Sequence, residues 1–388
     1  MKYEFMLKPS VYITRTASFL PNQPVSNDEM EGLLGQVGAR PSRARKMILR
    51  SNQINTRYYA IDKTTGRHNY TNAQLSAEAI RQLLDEKFGL NDISCLVSST
   101  TIADQIMPSH AVMVHGELGA PACEVAGTTG VCGCGMSALK YAYMNVLSGF
   151  HTSAISSASE AASYTMQAQN FSPEIEQKVA ALEQHPEIGF EKDFLRWMLS
   201  DGAGAFLLQN QVPSGQLALR IEWLDIFSYA SEMSACMYAG AQKNDDGSLT
   251  GWQQVSREQC QNDSFLSVKQ DVKQLNQYIT YYTVEKPLAA LQQKYAIKAE
   301  DIDYFLPHYS SGYFREKLHQ GMRAVGFDIP QSRWFTNLAE KGNTGSASMY
   351  IMVDELFRSG KLKPGEKILC YVPESGRFSA AYLLLTVV

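Results

Sequence analysis

The sequence repeats itself after about 210 residues, and this duplication limits the possible folds more than any other feature. Residues 79–99 and 288–308 both read as an amphipathic helix, an acidic turn and a short apolar strand, with Asp301 lying 209 residues after Asp92. Residues 127–149 and 342–360 also match, and an apolar strand, a Gly-rich turn and a further strand follow each of them. The duplication predicts two similarly folded halves, which we place at residues 1–212 and 213–388.

Strands and helices alternate within each half, which is typical of an α/β fold with helices covering parallel strands. The chain has 388 residues and a formal net charge of -4, so it can bury two substantial cores and has no electrostatic reason to bind nucleic acid. No apolar run approaches the ~18 to 20 residues of a membrane span, and the start lacks the basic flank of a signal peptide. The seven cysteines are an odd number and several lie in apolar runs, which favours free thiols and a cytoplasmic protein.

Residues 127–149, GTTGVCGCGMSALKYAYMNVLSG, crowd glycine around cysteine before a predicted helix. Cys132 lies 16 residues before Ser148, and Asn343 lies 16 residues before Ser359, so the duplication predicts matching positions at two helix N-termini. A thiol at a helix N-terminus faces unpaired N–H groups, which favour the thiolate. We interpret the glycines as making room for backbone and a narrow substrate and as permitting strained dihedral angles. The stretch therefore predicts a nucleophile turn.

His308 follows a predicted strand of the second half, where ligands of α/β proteins gather. With Cys132 and Asn343 it is predicted to converge at the junction between the halves, where His and Asn can donate hydrogen bonds to an enolate or oxyanion. Taken singly, His308 also fits a structural histidine and Asn343 a turn or helix cap. Cys134 is interpreted as a packed thiol, and a metal site is not expected, since no second ligand pair accompanies the Cys-x-Cys.

Several motifs together resemble the thiolase-fold condensing enzymes of the β-ketoacyl-[acyl-carrier-protein] synthase III type: MPSHA, VCGCGMSAL, SDGAGA, FLPH and EKGNTGSAS. The resemblance implies a homodimer of duplicated, five-layered αβαβα sandwiches that needs no metal or redox cofactor. It also implies that Cys132 is acylated, that His308 and Asn343 hold the carbonyl of a decarboxylating extender, and that the N–H groups of Cys132 and Gly376 form a second oxyanion hole. The implied substrates are acyl thioesters of coenzyme A or of a carrier protein, condensed in fatty acid or polyketide biosynthesis.

The chain departs from this family at positions that bear on its substrate. Met107 stands where relatives usually carry a bulky aromatic that floors the partner's acyl channel, which fits a longer or unusual acyl chain or only a core gap-filler. The resemblance assigns Arg50 and Arg315 to the pantetheine or the carrier. A basic cluster of Arg40, Arg43, Arg45 and Lys46 fits an acidic carrier protein or a solvated face.

Two carboxylates and one insertion keep other functions open. Glu160 and Glu374 are candidate accessory bases, although an interface ion pair or hydrogen bond fits them somewhat better, and a helical insertion at about 166–198 fits a tunnel cap or a dimer contact. An extra base suggests a ketosynthase-cyclase, which joins two β-ketoacyl chains into a cyclohexanedione or dialkylresorcinol. Acyl transfer to oxygen or nitrogen, a noncatalytic partner subunit, and a cysteine hydrolase in which Asn orients His also remain open.

Overall fold

The computed structural model describes residues 9–37, 45–170 and 195–388. Its strands, numbered in chain order, are β1 Tyr12–Phe19, β2 Val25–Ser26, β3 Thr56–Arg57, β4 Cys95–Thr100, β5 Glu124–Thr129, β6 Ser153–Glu160, β7 Gly202–Gln209, β8 Leu219–Ser228, β9 Met237–Tyr238, β10 Ala241–Lys243, β11 Leu249–Gly251, β12 Lys269–Gln270, β13 Tyr304–Pro307, β14 Lys367–Glu374 and β15 Ser379–Val387. Its α-helices are α1 Met30–Leu34, α2 Arg45–Asn52, α3 Asn72–Arg81, α4 His110–Leu118, α5 Cys134–Leu147, α6 Arg257–Asn262, α7 Val272–Thr280, α8 Lys286–Tyr295, α9 Phe314–Ala324, α10 Leu338–Lys341 and α11 Ser348–Arg358. Short 3₁₀ helices span Leu90–Asp92, Ala162–Tyr164, Ala168–Asn170, Trp252–Gln254, Ala299–Asp301, Gln331–Arg333 and Gly345–Ala347, and a π-helical turn spans Tyr281–Glu285.

The nine main strands are hydrogen-bonded in the order β13-β14-β15-β8-β1-β7-β6-β4-β5. In the first half β4 runs parallel to β6, β6 antiparallel to β7, and β7 antiparallel to β1. In the second half β13 runs parallel to β14, β14 antiparallel to β15, and β15 antiparallel to β8. The strands of the two halves are joined through β1 and β8, which share two residue pairs. Four strands of each half thus follow the same order and direction, as the duplication predicts, and β5 adds a fifth strand to the first half. The boundary at residue 212 stays a prediction between β7 and β8.

The apolar side chains form layers on both faces of these strands because successive strand residues point to opposite faces. One cluster joins α5 and α11 to strands of both halves, including Val97 of β4 and Cys370 of β14. A second cluster packs α3 and α4 against the other face of the first half, and a third packs α8 and α9 against the other face of the second half. The arrangement is helix, sheet, helix, sheet, helix, which is the α/β thiolase-like sandwich expected.

The two central helices also end in the same way. α5 is followed by Ser148 and Gly149, and α11 by Ser359 and Gly360. Both glycines have positive φ, 77° and 70°, a conformation that only glycine adopts at little cost after a helix. The shared Ser-Gly pairs therefore mark equivalent helix ends, and they align Cys132 with Asn343 at the other end.

Residues 38–44 and 171–194 are not among the described residues. They include Arg40, Arg43 and most of the predicted insertion at 166–198. All seven cysteines are free, as expected. Among the described residues, no helix is both long and apolar enough to cross a bilayer.

Candidate active site

Cys132 lies in the turn between β5 and α5, where two cavities meet. One cavity is lined by Cys132 and His308. The other is lined by Cys132, Asn343 and Glu160. Below we call them the His308 cavity and the Asn343 cavity. The structure therefore gathers the three predicted residues around two cavities that share the thiol.

His308 follows β13 and is almost fully buried. Its backbone N–H donates to the carbonyl of Tyr371 at 2.8 Å, which ties the segment after β13 to β14. Burial lowers the pKa of His308 to about 4, because the imidazolium would be poorly solvated. Neither ring nitrogen bonds to another described residue. The imidazole is therefore neutral near pH 7 and has an N–H for a substrate oxygen.

Asn343 is held against the first half of the chain by its backbone. Its N–H donates to the carbonyl of Met198, and its carbonyl accepts from the N–H of Ser200, both at 2.9 Å. Its side-chain Oδ1 accepts from the N–H of Gly345 at 3.0 Å, which stabilises the turn before α11. This contact leaves the Nδ2 hydrogens for a ligand in the cavity. The side chain bonds to Gly345 and not to His308, so the His–Asn relay of a cysteine hydrolase is not formed.

The glycines around Cys132 have a different role from the one expected. None of Gly127, Gly130, Gly133 and Gly135 has positive φ, so the prediction of strained dihedral angles is wrong. A Cβ at Gly133 would lie 2.7 Å from Oε2 of Glu374, and a Cβ at Gly135 would overlap the carbonyl of Ser346. Gly133 thus makes room for a side chain of the second half, and Gly135 makes room for its backbone.

The electrostatics around Cys132 oppose the predicted thiolate. Burial and the carboxylates of Glu160 and Glu374 raise the pKa of the Cys132 thiol well above its usual range. Since burial also keeps His308 neutral, the imidazole supplies no cation to offset these charges. The expectation that the helix N-terminus alone prepares a thiolate is therefore wrong: in the free protein Cys132 is a thiol. Cys134 is almost fully buried in the core at the start of α5.

The two candidate accessory carboxylates are both held by hydrogen bonds. Oε1 of Glu160 accepts from the hydroxyls of Thr101 and Ser346, each at 2.6 Å, and from the N–H of Ser346 at 3.0 Å. Oε2 of Glu374 accepts from the N–H groups of Val131 at 3.3 Å and Gly133 at 3.0 Å. Burial raises the pKa of both carboxyl groups despite these bonds. Neither carboxylate forms an ion pair with a described residue.

Gly376 and Met107 lie in different surroundings. A Cβ at Gly376 would lie 3.1 Å from Val131 and 3.3 Å from Oε1 of Glu374, so Gly376 borders the nucleophile turn, while its part in an oxyanion hole stays a prediction. Met107 is 80% exposed and lines neither cavity of its own chain. A role for Met107 in an acyl pocket therefore requires a second subunit.

The basic residues assigned to a carrier are not equivalent. Arg50 is exposed in the last turn of α2. Nε of Arg315 donates to Gln331 at 2.9 Å, and its guanidinium lies over the ring of Trp334. Arg45 forms an ion pair with Glu31 at 2.9 Å and is mostly buried. Arg50, with exposed Lys46, is thus the most accessible of these cations for a carrier protein.

The sequence analysis missed the wall of the His308 cavity that α7 and the following π-helical turn provide. Leu275 and Ile279 of α7 and Thr283 of the turn line it, and the Thr283 hydroxyl lies 2.7 Å from that of Tyr371. The four-residue spacing of Leu275 and Ile279 was a visible signal of a buried helix face. The π-helical turn had no such signal.

One group of described residues has the composition of a metal site: Cys95, Glu124 and His151. Cys95 and Glu124 begin the parallel strands β4 and β5, whereas Cys132 follows the end of β5, so the group lies at the opposite end of these strands from Cys132. The Glu124 carboxylate already accepts from Tyr141 at 2.6 Å and Asn145 at 3.1 Å, and it contacts His151 at 2.9 Å. This network accounts for the cluster without an ion.

Comparisons with known proteins agree with this architecture. Residues 292–384 match the family model described as 3-oxoacyl-[acyl-carrier-protein (ACP)] synthase III C terminal. The chain is 26% identical over 361 residues to a β-ketoacyl-[acyl-carrier-protein] synthase III of Xanthomonas oryzae pv. oryzae, covering 92% of each chain. It is 24% identical over 320 residues to that of Clostridium perfringens, covering 81% of this chain and 83% of the relative.

Two solved structures share the fold over nearly the whole chain. A variant of Xanthomonas campestris OleA with bound lauric acid and lauroyl-CoA matches with a TM-score of 0.74 at 19% identity, covering 98% of this chain and 100% of that one. AbyA1, a tetronic acid condensing enzyme, matches with a TM-score of 0.73 at 18% identity, covering 97% and 99%. With the duplicated sandwich, these findings show that the chain has the fold of the thiolase-like condensing enzymes and is similar to those of the β-ketoacyl-[acyl-carrier-protein] synthase III type.

Proposed function

We propose that this condensing enzyme forms a carbon–carbon bond between an acyl group carried on Cys132 and a second thioester. In the first step the Cys132 sulfur bonds to the acyl carbonyl, and the donor's sulfur leaves with the thiol proton. In the second step the extender loses CO₂, its carbanion attacks the acyl carbon, and the sulfur of Cys132 leaves as a thiolate that takes up a proton from water. The single observation that carries the proposal is the position of Cys132 where the His308 and Asn343 cavities meet.

His308 and Asn343 are proposed to donate hydrogen bonds to the thioester carbonyl of the extender. A neutral imidazole N–H and an amide N–H₂ stabilise the enolate that decarboxylation creates, without giving it a proton. The low pKa of His308 supports this role, because a neutral imidazole is a poor general acid near pH 7. Gly376 and the N–H of Cys132 are proposed to hold the oxyanion that forms on the acyl carbonyl.

The substrates are proposed to be acyl-CoA or acyl groups on a carrier protein. The curated relatives are named as acyl-carrier-protein synthases, and one structural neighbour contains lauroyl-CoA. The mostly apolar walls of both cavities suit two chains that meet at the thiol, and exposed Arg50 suits the phosphate of a pantetheine arm. The reaction needs no resident metal or redox cofactor.

The functional unit is proposed to be a homodimer joined along β5. This strand is an edge of the sheet, and unpaired edges invite pairing with another chain. Exposed apolar side chains lie on the loop after β4 and on α4 and α5 beside it: Ile102, Ile106, Met107, Val112, Tyr141 and Met144. A second copy would cover them and bring Met107 to the partner's cavity.

Incubation with acyl-CoA and acyl-carrier thioesters followed by intact-protein mass spectrometry tests the loading step. An acyl mass on Cys132, followed by product after addition of a decarboxylating extender, is the expected result. A folded protein that takes up no acyl group from any thioester would contradict the proposal and favour a noncatalytic partner subunit.

Glu160 favours one second candidate, condensation followed by ring closure. Its buried carboxyl lines the Asn343 cavity with Cys132, and its raised pKa suits a base for a second carbon–carbon bond. With β-ketoacyl substrates, wild-type protein would then give a cyclic product and Glu160→Gln a linear one. Linear product from the wild-type protein would exclude this candidate.

A further inference from the structure

Glu374 lies against the nucleophile turn from the opposite half of the chain. It ends β14, and its Oε2 accepts from the N–H groups of Val131 and Gly133, the residues on either side of Cys132. Gly133 is the N-cap residue of α5 and Val131 lies two residues before it, so both donors lie beside the end of the helix that attracts a negative charge. The carboxylate therefore binds the N–H groups that would otherwise be available to stabilise a thiolate at Cys132.

The turn is shaped to accept this side chain. A Cβ at Gly130 would lie 3.4 Å from Oε2 of Glu374, and a Cβ at Gly133 would lie 2.7 Å from the same atom. Any residue other than glycine at 133 would push the carboxylate away. The sequence thus combines a glycine turn in one half with a carboxylate in the other, and the two depend on each other.

The groups facing Cys132 offer nothing to neutralise this charge. Glu160 approaches from the end of β6, Glu374 from the end of β14, and neutral His308 from the segment after β13, with Cys134 buried beside them. Tyr309 and Tyr371 complete the titratable side chains of the His308 cavity, and none of the described lysines and arginines lines either cavity. Arg377, close in sequence, is held elsewhere because its Nε donates to the carbonyl of Met233 at 2.7 Å.

We propose that Glu374 is a positioning residue for the condensation: its carboxylate fixes the turn that carries Cys132 and keeps a negative charge beside the sulfur. A free thiolate is repelled by this charge, whereas an acylated Cys132 is uncharged and is not. Glu374 therefore disfavours the free thiolate relative to the acyl-enzyme and slows the reaction of the empty site with stray electrophiles. The raised pKa of Cys132, to which Glu374 contributes, agrees with this role. The inference rests on the proposed function in taking Cys132 as the nucleophile.

The test is the rate of Cys132 alkylation by iodoacetamide as a function of pH, followed by mass spectrometry of the peptide that contains it. Glu374→Gln keeps the shape and removes the charge, so it should lower the pH midpoint by at least about one unit and speed alkylation at neutral pH about tenfold. Glu86→Gln removes an exposed carboxylate that precedes β4, remote from the turn, and should leave the midpoint unchanged. The reagent needs no acyl substrate, so the result does not depend on which thioester is used.

A second variant separates the charge from the contact. Glu374→Asp keeps the charge but is one methylene shorter, so its midpoint should stay near that of the wild type while amide hydrogen exchange at Val131 and Gly133 becomes faster. If Glu374→Gln does not fold, Glu374→Ala is measured in the same way. A folded Gln or Ala variant with the wild-type midpoint, or an Asp variant with wild-type exchange, would overturn the proposal.

Discussion

Gly135, in the first turn of the helix that follows Cys132, lies against the backbone carbonyl of Ser346 in the equivalent segment of the second half. A Cβ at this position would overlap that carbonyl and would lie 3.3 Å from the ring of Tyr350. The hydroxyl of Tyr350 donates to the carbonyl of Gly135 at 2.9 Å. At Gly135 the two halves thus approach so closely that only glycine fits. The obstacle is a backbone carbonyl, which cannot move aside as a flexible side chain can.

Gly135→Ala should therefore destabilise the protein, by about 1 to 3 kcal/mol for an overpacked core site. Gly32→Ala is the matched control, because Gly32 is an exposed helical glycine of α1 with nothing within 4 Å of the added Cβ. It should be neutral or gain about 0.5 to 1 kcal/mol. Urea unfolding of both variants measures the difference. Equal stabilities would show that the close approach of the helices is not required.

Cys132→Ala should abolish acyl loading and reduce condensation by about a thousandfold or more, because no other described thiol lines either cavity. Decarboxylation should persist in part, since His308 and Asn343 remain. The measurement is intact-protein mass together with separate assays of CO₂ release and product. Cys134→Ala is the control, as Cys134 is buried and should still leave an acylated protein. Full condensation in purified Cys132→Ala would refute the assignment of the nucleophile.

Asn343 combines a turn contact with a proposed catalytic one, and two substitutions separate them. Asn343→Ala loses both, so decarboxylation should fall by about 10² to 10³ and stability by about 1 kcal/mol. Asn343→Ser keeps an oxygen that can accept from the N–H of Gly345 but has no amide donor. It should retain more stability than the Ala variant while losing as much activity. A fully active Ser variant would restrict Asn343 to the turn.

The low pKa of His308 predicts a pH dependence of stability with a defined sign. In the unfolded chain this histidine binds a proton near its ordinary pKa of 6.5, whereas in the folded protein it binds one only near pH 4. As the pH falls between these two values, His308 therefore lowers the free energy of unfolding. Between pH 7 and 5 the wild type should lose about 2 kcal/mol more than His308→Gln, which lacks the titration. The comparison with His308→Gln is needed because Glu160, Glu374 and Asp201 have raised pKa values. These carboxyl groups increase the free energy of unfolding as the pH falls, which is opposite to the effect of His308. Equal losses in both proteins would show that His308 titrates normally.

The exposed apolar face beside β5 predicts dimerisation through that face. Val112 on α4 is 49% exposed, and Val112→Glu should convert a dimer into monomers, since a charge would be buried in the interface. Leu266→Glu is the control, because Leu266 is 70% exposed but lies far along the chain, between α6 and β12. Light scattering after size-exclusion chromatography reads the mass. A monomeric wild type, or a Val112→Glu dimer, would contradict the interface.

The duplication, the α/β class and the three residues to examine could all be predicted from the sequence; those residues are Cys132, His308 and Asn343. Helical and strand periodicities, the paired Ser-Gly helix ends and a cysteine within glycines all depend on neighbours in the chain, which a sequence displays directly. Cys132 could be chosen over Cys134 because the spacing to Ser148 repeats the spacing from Asn343 to Ser359.

The electrostatics and the contacts of the site depend on residues far apart in the chain and could not be predicted from the sequence. Glu374 lies more than 240 residues after Val131, and no local pattern reveals that its carboxylate binds the nucleophile turn. The ionisation of Cys132 and His308 follows from burial and from charges of distant strands, so the helix N-terminus alone gave the wrong expectation for the thiol. The glycines of the turn were visible in the sequence, but their partners, Glu374 and Ser346, were not, because the packing of one half against the other supplies them.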